Sequence, residues 1–294
     1  MGRVRLPGAA AVTFPADVPM DAAARSPILV SSRDNPLLQR LRKLARDPAA
    51  YRKLGAVWLE GEHLTSALRQ RGQRPSQAVV AESAWAQPAL RALALWAPRT
   101  VLVPDALFDG LSALPSPARL GFVIELPPPL AIAPLLASVV LDRVQDAGNV
   151  GSILRSAAAL GVGQVLALQG TAALWSPKVL RAGMGAHFGL RLLEGLQADD
   201  LSPLQLPLVG TVLDSDQLLG AVVLPSPCAW VLGHEGQGLS PALRARCAQL
   251  LRIPQPGGEE SLNVAAAAAI CLYESLRQTA LGRTLSGPAG RADQ

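Results

Sequence analysis

Three short segments of the chain carry residue types that could do chemistry: DAGNVGSILRSAAALG (146–161), VLGHEGQGLS (231–240) and RIPQPGGEESLNVAAAAAI (252–270). Each joins a polar or glycine-rich loop to an apolar, helix-compatible run and sets an Asn, Arg, Glu or Ser at the joint. An α/β protein places its chemistry at such joints, because loop ends expose backbone donors and free side chains beside a rigid sheet. In the first segment Asn149 stands at a strand-to-helix junction, where it reads as an N-cap. Gly151 lets the backbone approach a ligand closely, and Arg155 follows just over one turn inside the helix. Helix amides with an arginine near them suit an anion such as phosphate, although a capping Asn and a surface Arg explain the same residues. The second segment holds one acid, Glu235, among three glycines. That is either a bare backbone surface for a flat ligand or a plain turn, and His234 beside it reads as incidental. The third places Ser261 and Asn263 where the last helix begins, with Ser261 as its N-cap. The alanine run 265–269 is thin, so another chain segment or a partner subunit is expected to pack closely on it.

These joints need elements to hold them. SVVLDRV (138–144), QVLALQ (164–169), PLVGTVL (207–213), CAWVLG (228–233) and LLRIPQ (250–255) read as continuous apolar strands. Between and after them lie helical stretches: NVGSILRSAAALG, WSPKVLRAGMGAHFG, SPALRARCAQ and SLNVAAAAAICLYESLRQTAL. Apolar strands alternating with helices predict a parallel sheet covered on both faces. Upstream, AVWLEGE (56–62), QAVVAE (77–82) and TVLVPD (100–105) are short buried strands with helices between them. In front of these, Asn35 can cap a helix with Pro36 at its first position and Leu37, Leu38, Leu41 and Leu44 on one face. The three prolines of LPPPLAIAP cannot continue a helix or a central strand and mark the boundary. The expected order is a tail (1–26), a small α/β domain (27–126), a Pro-rich linker (127–134), a parallel-sheet α/β domain (135–282) and a second tail (283–294). Translation starts at either Met1 or Met20.

Charge divides along the same boundary. Residues 1–126 carry 16 Lys and Arg against 10 Asp and Glu, and residues 127–294 carry 11 against 12. A basic first half suggests a polyanion partner, and a solvated basic face is the plainer reading. Cys228, Cys247 and Cys271 show no metal spacing and read as small buried hydrophobes in a reducing cytoplasm, and the three histidines are scattered, so no metal site is expected. No apolar stretch approaches the roughly 20 residues a membrane helix needs. A dinucleotide-binding oxidoreductase fits poorly, because G-x-G-x-x-G is absent and no acid ends VLALQG.

Taken in order, N-x-G-x-x-x-R at Asn149–Arg155, LGHEGQGLS and IPQPGGEESLNVAAAAAI resemble the three motifs of the SpoU (TrmH) family. These are S-adenosylmethionine-dependent RNA ribose 2′-O-methyltransferases of the SPOUT class. SRDNPLLQRLRKLARD and WLEGEHL resemble the family's amino-terminal RNA-substrate-binding domain, and RAGMGAHF (181–188) is a loose version of a family segment. The resemblance implies a carboxy-terminal trefoil knot, which topology rules alone would disfavour, and a homodimer. It implies S-adenosylmethionine held between loops at Thr211, Gly233, Ile253 and Leu262. Asn149, Arg155, Glu235, Ser261 and Asn263 match the family's catalytic and substrate-proximal positions. Gln255 departs from the pattern, since many members carry Met after Ile-Pro.

By the same analogy Arg155 binds the neighbouring phosphate and polarises the 2′-oxygen, because an arginine stays protonated and is a poor base. Glu235 or the phosphate then accepts the proton. RNA affinity is expected from phosphate contacts by Arg33, Arg40, Arg42, Lys43, Arg46, Arg52 and Lys53. Few aromatics are available for stacking, so recognition by RNA shape is favoured. A ribosomal RNA target is favoured over transfer RNA, since a separate amino-terminal domain is typical of ribosomal members. The rival is a knotted RNA-binding protein without turnover.

Overall fold

A computed structural model describes residues 26–113, 116–257 and 261–285, with side chains placed to Thr279. The choice between Met1 and Met20 and nearly all of the expected first tail lie outside the described residues. So does the second tail beyond Leu285; its first three residues continue the last helix. The described residues divide into two compact units, one formed by 26–129 with 173–189, the other by 130–172 and 190–285.

The first unit contains β1 (Ile28–Leu29), α1 (Pro36–Arg46), α2 (Ala50–Leu54), β2 (Ala56–Glu60), α3 (Glu62–Gln70), β3 (Gln77–Ala81), α4 (Glu82–Trp85), α5 (Pro88–Ala94), β4 (Thr100–Val103), α6 (Asp105–Asp109) and β5 (Leu120–Glu125). Asn35 caps α1 as the sequence predicts: its Oδ1 accepts from the Leu37 amide at 2.9 Å, Pro36 opens the helix, and Leu38, Leu41 and Leu44 are buried. The sheet runs β1-β4-β3-β5-β2, with β5 antiparallel to both its neighbours. β5 is absent from the strands expected on sequence grounds. Its Gly121 is needed where the strand passes Trp58, since a Cβ there would meet the indole at 2.2 Å.

The second unit begins with β6 (Ser138–Leu141), α7 (Ala147–Ala159) and β7 (Gln164–Leu168). The chain then contributes α8 (Pro177–Gly183) and a 3-10 turn (Ala186–Gly189) to the first unit, where Gln73 Nε2 donates to the Phe188 carbonyl at 3.1 Å. The single helix expected over that stretch breaks at Met184, whose φ is 49°. The second unit resumes with β8 (Arg191–Leu196), β9 (Leu208–Thr211), β10 (Ala229–Leu232), α9 (Pro241–Arg246), β11 (Gln249–Leu251) and α10 (Val264–Leu285).

Its six strands are all parallel, in the order β11-β9-β10-β6-β7-β8. β6, β7 and β10 are buried throughout, the apolar runs of β6 and β7 preceded by buried Ser138 and Gln164, which hydrogen-bond to each other. Strand order reverses between β6 and β10, where Leu141 pairs with Leu232. The carboxyl ends of strands at such a reversal form the usual ligand crevice of an open α/β sheet. α10 lies against α7 and β10, with Ala268 fully buried and Trp230 Nε1 donating to Ser275 Oγ at 2.8 Å. The thin alanine surface therefore meets a neighbouring helix of the same chain. Cys228 and Cys271 are buried and Cys247 is half-buried, all three free.

Candidate functional site

The loops after β6 and β10 and the start of α10 meet through one chain of side-chain amides. The cap of α7 is Asp146 rather than Asn149: its Oδ1 accepts from the Asn149 amide at 2.8 Å, which leaves the Asn149 side chain free to reach across. Asn149 Nδ2 donates to Glu235 Oε1 at 3.1 Å, and Asn149 Oδ1 accepts from Asn263 Nδ2 at 2.9 Å. Asn263, not Ser261, caps α10, with Oδ1 accepting from the Ala265 and Ala266 amides. Asn149 and Asn263 each use both ends of the amide, a fit that a residue lacking either the donor or the acceptor could not reproduce.

Glu235 is the anionic end of this chain. Its Oε1 also accepts from the Asp146 amide at 3.1 Å, and Oε2 from the Gln145 amide at 3.2 Å. Partial burial pushes its carboxyl upward, but hydrogen bonds from its own amide, the Asn149 side chain and the Asp146 and Gln145 amides outweigh it and hold the group below the ordinary glutamate value. Glu235 is therefore ionised and occupied, which makes it a weak base.

Beside this network is a cavity of about 670 Å3, within the range of small-molecule and cofactor sites. Thr211, Gly233, Ile253 and Leu262 all line it, together with Glu235, Ser261 and Asn263. The wall from β10 is a tight turn in which His234 and Gly238 exchange backbone hydrogen bonds at 3.0 and 2.9 Å. A Cβ on Gly233 would lie 2.3 Å from the Gly238 carbonyl carbon, so the turn can close only over glycine. His234, incidental on sequence grounds, organises it: Nδ1 accepts from the Gly236 and Gln237 amides at 2.9 and 3.2 Å. The rim carries an ion pair between Arg244 and Asp214 at 2.8 Å. Gln255 also lines the cavity, and its Oε1 is buried with no partner among the described residues.

Arg155 stands apart. It is exposed in the third turn of α7, deeper than expected, does not line the cavity, and makes no hydrogen bond among the described residues. Arg33, Arg40, Arg42, Lys43, Arg46, Arg52 and Lys53 belong to the other unit, on α1, α2 and the turn before them. Arg40, Arg42 and Arg46 commit one guanidinium nitrogen each to the carbonyls of Leu54, Arg33 and Gly110. Among the described residues no group of three or more His, Cys, Asp or Glu could hold a metal ion.

Residues 137–273 match the SpoU rRNA Methylase family. A Synechocystis protein named as an uncharacterized tRNA/rRNA methyltransferase is 32% identical over 273 residues, covering 85% of this chain and 93% of the relative. The 23S rRNA (uridine(2479)-2′-O)-methyltransferase of Streptomyces viridochromogenes is 30% identical over 219 residues, covering 70% of this chain and 76% of the relative. The crystal structure of the SpoU methyltransferase AviRb from the same organism, in complex with its cofactor AdoMet, is similar with a TM-score of 0.75 at 26% identity, over 84% of this chain and 98% of that one.

Proposed function

The chain belongs to the SpoU rRNA methylase family, and from that membership and the geometry of the site we propose that it transfers a methyl group from S-adenosylmethionine to a ribose 2′-hydroxyl of ribosomal RNA. The observation that carries this reading is the convergence of Thr211, Gly233, Ile253 and Leu262 on one cavity, with Glu235 and Asn263 at its edge. The residues present fit the methyl donor. The 233–238 turn, which closes only over a glycine at 233, offers bare backbone to a flat ring, and the buried Oε1 of Gln255 has no donor among the described residues. When bound, S-adenosylmethionine supplies an electrophilic methyl group on a sulfonium.

The protein's own part is alignment and charge control. Asn263 links the start of α10 to Asn149, and Asn149 links both to Glu235, so the loops after β6 and β10 hold a single geometry. Ser261, exposed on the cavity edge, orients the 261–263 segment. Arg155 takes the phosphate next to the reacting ribose and polarises its 2′-oxygen, for which a free, exposed guanidinium is suited. Glu235 or the phosphate accepts the proton, and the donors already on both Glu235 oxygens lower the basicity of that carboxylate.

Residues 27–126 serve as the RNA substrate-binding domain, 127–134 as linker and 135–282 as the methyltransferase domain, in which the segment after β11 forms the trefoil knot. A second copy completes a homodimer; the exposed Ile270 and Tyr273 on α10 support such a contact. The enzyme works in the cytoplasm on RNA, and no helix among the described residues is long and apolar enough to cross a membrane. Ribose-methylation mapping of RNA from a deletion strain tests the reading. One ribosomal 2′-O-methyl group should disappear, return with the wild-type chain and stay absent with Arg155→Ala; an unchanged ribosomal RNA map would overturn it.

A further inference from the structure

Arg143 holds a backbone conformation that its side chain disfavours. Its φ is 62°, in the left-handed region where a residue bearing a Cβ is uncommon and strained. Such strain persists only where the surroundings fix it, and here they do so from three sides. The stem crosses Gly170, where a Cβ would lie 3.2 Å from Arg143 Cγ. Nε donates to Oδ1 of Asp142 at 3.0 Å, a carboxylate only 2% exposed whose Oδ2 accepts from the Ser240 amide. Beyond Asp142, Nη1 donates to Gln237 Oε1 at 2.9 Å and Nη2 to the Gly238 carbonyl at 3.5 Å. Gln237 and Gly238 are the far side of the turn that walls the cavity and carries Glu235. The outer part of that turn, 235–238, is exposed; apart from its own hydrogen bonds to His234, Glu235 anchors its near side to the Gln145 and Asp146 amides and to Asn149, and Arg143 anchors its far side at Gln237 and Gly238.

We propose that Arg143 is a positioning residue for the methyl-donor cavity, clamping the 233–238 turn to the end of β6 in the shape that admits the donor. The inference rests on the reading of that cavity as the S-adenosylmethionine site. The guanidinium spans a buried acid on one side and the cavity wall on the other, which a single ammonium on a straight stem cannot do. Its loss therefore loosens the turn without unpairing the core: Arg143→Lys keeps a cation beside Asp142 and the same backbone strain but gives up the reach to Gln237.

Calorimetric titration of the full chain with S-adenosylhomocysteine, alongside thermal melts, tests this on wild type, Arg143→Lys, Gln237→Ala and the double variant. Each single change should weaken binding roughly tenfold, the effect of one charge-assisted hydrogen bond. The double variant should bind no more weakly than the worse single, and melting temperatures should stay near wild type. Wild-type affinity in Arg143→Lys, a binding loss that tracks the melting temperature, or additive losses in the double variant would each overturn the clamp. A wild-type chain that does not bind S-adenosylhomocysteine would instead overturn the reading of the cavity.

Discussion

Replacing Asn149 by Asp changes one atom at the centre of the site. The new carboxylate can still accept from Asn263 Nδ2, so the link to the α10 cap survives. An acid in the first turn of α7 is also favourable to the helix, so folding should be little affected. What disappears is the 3.1 Å donation to Glu235 Oε1, and a second negative charge takes its place. A hydrogen bond to a charged acceptor contributes about 1.5–3 kcal/mol, and the exposure of Glu235 argues for the lower end. Two carboxylates at this distance in a water-like surrounding add about 1 kcal/mol of repulsion. If the aligned loops are needed only at the transition state, the sum of about 2.5 kcal/mol slows methyl transfer by roughly 70-fold.

The pH profile gives a second readout of the same change. Wild-type Glu235 sits below the ordinary glutamate value, so its contribution is complete above that value and is lost only as pH falls through the lowered one. In Asn149→Asp the donor is gone and a like charge is present, and both raise the Glu235 pKa, so the acid limb of single-turnover rate moves toward neutrality. Single-turnover transfer of labelled methyl to ribosomal RNA measures both. A rate within about twofold of wild type with an unmoved acid limb would refute the coupling of Asn149 to Glu235.

Other outcomes follow from the same geometry. Arg155→Lys should lower turnover about tenfold or more, because a lysine cannot replace the guanidinium fork on phosphate, yet leave S-adenosylhomocysteine affinity unchanged, because Arg155 does not line the cavity; a weakened affinity would place Arg155 in the donor site. Gly233→Ala forces a methyl against the Gly238 backbone and should cost about 1–3 kcal/mol of stability in a denaturant melt, with donor binding abolished; retained binding would show the turn to be plastic. Replacing Arg42 and Lys43 by Ala should weaken RNA binding across sequences and flatten the plot of log affinity against log salt by about 0.7–0.9 for each phosphate no longer neutralised. An unchanged slope would remove α1 from the RNA surface.

What could be read from the sequence was local or periodic. Asn35-Pro36 ahead of Leu38, Leu41 and Leu44 is a complete helix start within one turn, and it is the start observed. The apolar runs 139–141, 165–168 and 229–232 announce buried parallel strands because each is local and uninterrupted. β8 (RLLEGL) gives no such signal because it is a sheet-edge strand with an acid and a glycine in it, whereas β5 (LGFVIE) carries an apolar run of the same kind, interrupted only by Gly121. The caps of α7 and α10 differ from expectation because two capping residue types stand within one turn of each other: Asp146 before Asn149, and Ser261 before Asn263. The difference matters, since with Asp146 as the cap the Asn149 Oδ1 is left to accept from Asn263 Nδ2. Arg143 gives no signal at all, because Gln237 lies 94 residues away and only the sheet reversal brings them together.

Whether methyl goes to a ribose oxygen of ribosomal RNA is read from the methylated nucleoside itself. Purified chain, labelled S-adenosylmethionine and unmethylated ribosomal RNA are incubated, and the RNA is digested to nucleosides and separated. Label should appear in a single 2′-O-methyl nucleoside and be lost when Arg155 is replaced by Ala. Label on a base, or no transfer from a chain that binds the donor normally, would contradict it.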